Sequence, residues 1–484
     1  MDLSQTISSA DFRGILPEII LLVTALVILT LEMLARPRRR IMPGTGIAGI
    51  LLAGFAIWRS TGGERTLFGG MLTLNGYSTF FDVLYLAIGI ASFLTVQRYL
   101  EWRGGEARGE YYGLILFSTI GMMLMTRAND LIIVFLGLEL LSLSLYVLIG
   151  LLRHDAYSNE GGIKYLLLGA FTTGFFLFGT ALIYGSTATT NFSRISLAVE
   201  SGHILSQTLL SLGIGLVLIG FSFKVAIVPF HMWSPDVYQG APTTITAFLS
   251  TGPKAAGFGA LMKVFLVAFP VDHVAWQDLL WILAVLTMTV GNISALVQSN
   301  VKRMLAFSSV AHAGYLLIGV VVLDQSGVSA VLFYLSVYAA MNFGAFAVVS
   351  LVEKGERGLS FDDYRGLASR HPWLAAVLAL FMISLAGFPP TAGFVAKYAL
   401  FSAAVSHGYV WLVVFSVGNT LISITYYVRL IVSMTMEKEE AELPTFVKPH
   451  MAVLLAVLAA IILLFGINPS LILDGAVQAA KAFS

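Results

Sequence analysis

Long apolar stretches, broken at intervals by short polar connections, set the pattern of this chain. A helix needs about 20 mostly apolar residues to cross the hydrocarbon core of a bilayer. Fourteen such runs can be read, at 14–35, 41–59, 77–97, 111–127, 130–152, 163–185, 207–230, 242–269, 279–298, 301–323, 328–352, 373–403, 409–435 and 450–467. Their apolar residues are continuous rather than alternating, which argues for helices and against a β-barrel. The longest connections, about 186–206 and 353–372, leave no room for a soluble domain. The pattern predicts an all-α polytopic membrane protein with about 14 transmembrane helices.

Composition agrees. Of 484 residues, 57% are hydrophobic and 11% charged, against about 25% charged in a soluble domain. The net charge of +1 gives no field for nucleic acid. With no cysteine, disulfides, thiolate-bound iron–sulfur clusters and cysteine zinc sites are excluded. No cluster of histidines and acids suggests a metal site. The start, MDLSQTISSADFRG, lacks a basic stretch, so the first apolar run is expected to stay rather than be cleaved.

Lys and Arg orient the bundle. Connections after the odd-numbered runs hold seventeen of them, including RPRRR at 36–40, while the opposite side with both termini holds six. The positive-inside rule then puts these connections in the cytoplasm and both termini outside.

Lys224, Lys254, Lys263, Lys397 and Arg429 are the basic residues left inside apolar runs; Glu139 is the most central acid. Each such charge costs about 3 kcal/mol in the bilayer. Four of them, isolated, would cost on the order of 12 kcal/mol, which rivals the stability of a whole domain at about 5–15 kcal/mol. They must be paired, hydrated or partly neutral. Glu18, Glu32 and Asp82 fall near run ends, where exposure is cheap, and Arg429 with Tyr426 and Tyr427 reads as an anchor.

A weak repeat relates these charges. YVLIG at 146–150 recurs as YLLIG at 315–319, so the fifth run matches the tenth and the seventh the twelfth. Lys224 stands before Pro229 in FSFKVAIVPFHMWSPD, and Lys397 after Pro389 and Pro390 in GFPPTAGFVAK. Five runs separate the copies, so the two units are inverted. Broken helices in inverted repeats mark ion sites in transporters. Helices 7 and 12 are therefore expected to be discontinuous, in a chain divided as 1–109, 110–270 with the first repeat, 271–436 with the second, and 437–484.

Burial favours a neutral amine and a nearby carboxylate favours the ammonium. Movement of Glu139 relative to Lys224 would thus switch proton affinity; the alternative is a static pair that holds helices together. Lys254 follows Pro253 at about 18 Å into its run at about 1.5 Å per residue, either as a relay in an opened helix or as filler of a proline kink. Lys397 either lines the break or snorkels. His312 is a candidate link between lysines, titrating near neutrality, or a packing residue. Lys263 can relay or snorkel, and Lys164 can relay or anchor its helix at the cytoplasmic side.

Three segments carry a resemblance: VPFHMWSPDVYQGAPTTITAFLSTGPK at 228–254, VKRMLAFSSVAHAGYLLIG at 301–319 and LAGFPPTAGFVAKY at 385–398. They resemble the subunit N family of proton-pumping NADH–quinone oxidoreductase, respiratory complex I, essentially over the whole chain. The related subunits L and M and the multisubunit Na⁺/H⁺ antiporters are worded differently after Pro229. The resemblance implies a proton-translocating, antiporter-like subunit of the membrane arm. Glu139 and Lys224 would form a pair, Lys254 the middle relay and Lys397 the terminal site. FMN, iron–sulfur clusters and quinone would belong to partner subunits, with no cofactor bound by this chain. Neighbours would be subunit M, the small subunits K, J and A, and the lateral helix of subunit L. The alternative is a component of a multisubunit Na⁺/H⁺ antiporter.

Overall fold

The computed structural model of the chain describes residues 8–34, 41–60, 63–102, 108–269, 273–322, 324–353, 359–436 and 447–483. The RPRRR run at 36–40 lies outside the described residues. The first part comprises α1 (Ser9–Gly14), α2 (Leu16–Leu34), α3 (Met42–Ser60), α4 (Gly76–Trp102), α5 (Gly109–Arg127), α6 (Leu131–Ile149) and α7 (Ala156–Thr187). The middle comprises α8 (Phe192–Glu200), α9 (Gln207–Val225), α10 (Trp233–Gly240), α11 (Thr243–Leu249), α12 (Gly252–Lys263), α13 (His273–Leu296) and α14 (Val301–Val322). The last part comprises α15 (Gln325–Val352), α16 (Leu367–Arg370), α17 (Pro372–Ala386), α18 (Ala392–Ser406), α19 (Val410–Met436), α20 (Pro449–Ile467) and α21 (Ser470–Ala480).

Polar residues just before the apolar runs start several of these helices. The side chains of Asp130, Asp155, Asn191, Ser206 and Asp324 accept first-turn backbone N–H bonds of α6, α7, α8, α9 and α15. Such caps satisfy donors a helix cannot satisfy internally, an acute need where water is absent. One small element departs from the all-helical expectation. Arg65–Leu67 (β1) and Leu72–Leu74 (β2) pair antiparallel, in the connection between the second and third runs.

Eleven described helices are long and apolar enough to cross a membrane. The chain is a multi-pass membrane protein. Runs 4, 8 and 12 fall outside the eleven: α5 is less apolar, and the other two are each split into shorter helices. Run 7 is also discontinuous: α9 ends at Ala226, whose φ of +61° is left-handed, and the chain turns as a helix again only at Trp233. Run 12 breaks at Gly387, with φ +89°, and resumes at Ala392. Pro229 lies in the first break and Pro389 and Pro390 in the second, while Pro253 sits in the first turn of α12.

The bundle has an axis. The apolar window of α14 is entirely buried inside the chain and that of α15 is 89% buried, against 33% for α2 and 28% for α20. Close packing relies on glycine where helices nearly touch. A Cβ at Gly213 would lie 2.8 Å from the Gly179 carbonyl, so α7 and α9 approach backbone to backbone. A Cβ at Gly215, two residues on, would meet nothing closer than Trp276 at 3.8 Å.

Candidate functional site

The intramembrane lysines read from the sequence point inward. Lys224, Lys254, Lys263 and Lys397 are each no more than 5% exposed, which rules out snorkelling for Lys263 and Lys397. Lys224 occupies the last turn of α9, where its Nζ donates to Ser142 Oγ of α6 at 2.9 Å and to Tyr165 OH of α7 at 3.2 Å. The tyrosine ring also lies under the amine, 5.7 Å away. Glu139 is half-buried one turn before Ser142. No ion pair joins Glu139 to Lys224 among the described residues; the hydroxyl of Ser142 takes that place. A pocket of about 10 Å³ beside Lys224, lined by Ser142, Thr172 and Thr173, is at the lower limit for one water.

Lys254 stands in the first turn of α12, just past the gap after α11. Its Nζ donates to the carbonyl and the hydroxyl of Ser309 on α14, both at 2.5 Å. Tyr338 of α15 donates to the same hydroxyl at 2.9 Å and Tyr238 of α10 lies 3.3 Å from it. One serine thus gathers three helices around an amine.

His312 lies one turn further along α14. Its Nδ1 bonds the hydroxyl of Tyr334 at 2.6 Å and its Nε2 that of Tyr427 at 3.1 Å. Tyr427 also hydrogen-bonds Ser308. The histidine ring is 5.9 Å from that of Tyr315, and Lys397 Nζ lies 4.8 Å over the same Tyr315 ring. Lys397 Nζ donates to the carbonyl of Ala386, the last residue of α17, at 2.9 Å. A cation is favoured at such a C-terminus. Gly387 makes room for it: a Cβ there would meet Lys397 Cδ at 3.0 Å, besides the strain of its positive φ.

Lys224, Lys254, His312 and Lys397 thus sit in one polar line through the bundle, each held by hydroxyls, carbonyls and aromatic faces. Between Lys224 and Lys254 the line crosses aromatic rings: Tyr165 and Trp233 are 4.7 Å apart, and Trp233 and Tyr238 6.1 Å. Lys164 is outside the line. Its Nζ bonds Glu160 and Asp236, both at 2.6 Å, and Arg303 bonds the other oxygen of Asp236 at 2.7 Å. That group ties α7, α10 and α14 together.

Lys263 is also outside the line, in a second buried cluster. It donates to Thr73 Oγ1 at 2.6 Å and to the carbonyls of Thr126 and Arg127, both at 3.1 Å. Arg127 in turn pairs with Glu18 at 2.5 Å and Asp82 at 2.6 Å. Glu18 and Asp82, placed by sequence where exposure is cheap, are 5% and 1% exposed. The reason is Arg127 at the end of α5, which draws both run-end acids inward. Acids and a base at the same level of neighbouring runs were the available signal. Arg429 does anchor: it donates to the Gln298 carbonyl at 3.3 Å and covers the Phe361 ring. Tyr426 and Tyr427 beside it instead face inward, to Asn292 and His312.

Comparisons with known proteins extend this geometry. Residues 128–423 match the family model described as NADH:quinone oxidoreductase/Mrp antiporter, TM. NADH-quinone oxidoreductase subunit N of Trichlorobacter lovleyi is 47% identical over 484 residues, covering 99% of each chain. The chain belongs to the NADH-quinone oxidoreductase subunit N family. It is a membrane-arm subunit of respiratory complex I, a translocase. Among solved structures, a chain of "Respiratory complex I from Thermus thermophilus with bound Aureothin" superposes with a TM-score of 0.82 at 31% identity, covering 95% of this chain and 98% of that one. A chain of the Mrp complex from Dietzia sp. shares the fold, with a TM-score of 0.82 at 20% identity and 98% coverage of each. In this subunit N chain, the family match spans every residue of the polar line and ends before Tyr426 and Tyr427. Among the described residues no group of histidines and acids could hold a metal ion.

Proposed function

We propose that this subunit moves protons along the polar line, through Glu139, Lys224, Lys254, His312 and Lys397, driven by quinone reduction in partner subunits. One observation supports the reading most: Lys254 is buried where two broken helices and the central α14 meet, bonded to Ser309 and to no carboxylate. An amine bonded to hydroxyls keeps its partners when it loses a proton, since a hydroxyl both donates and accepts. Lys164 and Lys263, with their own partners elsewhere, hold helices together. The prolines serve by opening the helices, as Pro229, Pro389 and Pro390 lie within breaks and Pro253 starts α12.

In the same reading, 110–270 and 271–436 form two inverted units, flanked by 1–109 and 437–484. The membrane is a bacterial inner membrane with both termini periplasmic. Subunit M, subunits K, J and A and the lateral helix of subunit L are the neighbours, and FMN, iron–sulfur clusters and quinone belong to partner subunits. The test is Lys224→Ala in reconstituted complex. Coupled pumping should fall while assembly persists; unchanged pumping would make the charges a scaffold. The fold shared with the Mrp chain supports a second reading, a Na⁺/H⁺ antiporter component, and transport that depends on sodium would favour it.

A further inference from the structure

A cavity of about 400 Å³ opens on the face that carries Lys164 and Arg303, between the two halves of the chain. Its lining is polar for a membrane protein: Asp155, Asn300, Lys302, Glu353, Ser360 and Asp363 are among its walls. Two of these are charged yet only 2% exposed, Glu353 and Lys302. Asp155 and Asp363 carry caps, of α7 and of the turn at Phe361–Tyr364. Burying an ionisable group at the edge of the bilayer is costly unless it has work to do.

Glu353 caps the C-terminal end of α15, and its carboxyl reaches the gap between α10 and α11. Its Oε1 accepts from Tyr99 OH at 3.3 Å, and its Oε2 from the hydroxyl of Thr243, the first residue of α11. Lys302 Nζ donates to the carbonyl of Ala241 in the same gap, at 2.9 Å. From Thr243, hydroxyls continue inward at helical spacing. Thr246 follows on the same face of α11, Ser250 lies in the gap after that helix, and Lys254 stands in the first turn of α12. Thr246 donates to the Tyr238 carbonyl at 3.0 Å, and, at the other end of that tyrosine, its hydroxyl lies 3.3 Å from the Ser309 hydroxyl that Lys254 bonds.

We propose that Glu353 is the proton-uptake group of this chain. Its carboxylate takes a proton from water in the cavity and releases it to the Thr243 hydroxyl. Each hydroxyl or water along the series then accepts one proton and passes one on, until Lys254 receives it; no other bond changes. This rests on the reading of Lys254 as a proton carrier.

The test uses reconstituted complex I, scoring protons moved per NADH oxidised. Glu353→Gln should lower the ratio to the level of Lys254→Met, and Glu353→Asp should restore at least half of the loss. Normal pumping by Glu353→Gln beside a deficient Lys254→Met would overturn the uptake role alone. Normal pumping by both would overturn the Lys254 reading itself. A second variant stands if Glu353→Gln does not assemble. The chain has no cysteine of its own, so Leu359→Cys places a single thiol on the cavity wall. A cationic, membrane-impermeant thiosulfonate added to inside-out vesicles should label it and lower the ratio from its value before labelling. An unlabelled thiol, or a ratio that labelling does not change, would overturn the proposal.

Discussion

The polar line and the Arg127 cluster both bury charge-bearing side chains in an apolar bundle, and they do so in opposite ways. Arg127 meets two carboxylates, Glu18 and Asp82, at 2.5 and 2.6 Å. Beside it, Lys263 spends all three of its donors on a hydroxyl and two carbonyls. Arg127 cannot release a proton without stranding a carboxylate, and Lys263 is fixed beside it by three partners. In the line, Lys224 bonds two hydroxyls, Lys254 the hydroxyl and the carbonyl of Ser309, Lys397 one carbonyl, and His312 lies between two tyrosine hydroxyls. In the proposed reading, the difference separates a lock, whose charges must stay, from a relay, whose charges can move.

Breaking the lock should have the largest effect. Arg127→Met leaves two carboxylates buried together, and losing one partner of a buried ion pair costs about 3–5 kcal/mol. The subunit should fail to accumulate in the membrane, as read by immunoblot, and adding Glu18→Gln and Asp82→Asn should recover part of it. Lys263→Met should cost less, about 1–3 kcal/mol for the carbonyls left unpaired, seen as a lower melting temperature in detergent with the proton ratio per assembled complex unchanged. Tyr427→Phe removes the hydroxyl shared by Ser308 and His312. Its stability cost should be about 0.5–1.5 kcal/mol, while proton transfer slows out of proportion to it in a stopped-flow measurement.

The smallest effect belongs to the surface group around Asp236. Burial pushes this carboxyl up, but bonds and charges from Lys164 and Arg303 outweigh it and hold it below the usual range. A depressed carboxyl stabilises above its unfolded pKa, about 3.9, and loses that contribution as pH falls through the folded value. Asp236→Asn should therefore lower stability by about 1 kcal/mol or less near neutrality, a deficit that closes in acid when melting is followed against pH.

Much of this was legible in the residues. Hydropathy alone located the helical runs, and Pro229, Pro389 and Pro390 marked the breaks because proline and the turns around it cannot continue a helix. Lysines inside apolar runs stood out by cost. Their partners did not. Ser142, Tyr165, Tyr334 and Tyr338 are ordinary in a membrane helix, and only tertiary packing brings them to Lys224, Lys254 and His312. Glu18 and Asp82 misled because position along a run says little about which neighbour a side chain will meet. Direct pairing of Glu139 with Lys224 was likewise not readable from spacing, since Ser142, one turn on, reaches the amine instead.

The most direct test of the relay is the number of protons moved per NADH oxidised by complex reconstituted with Lys397→Met. With assembly equal to the parent, the ratio should fall, because the line then ends at His312 without its last carrier. A ratio equal to that of the parent would contradict the account.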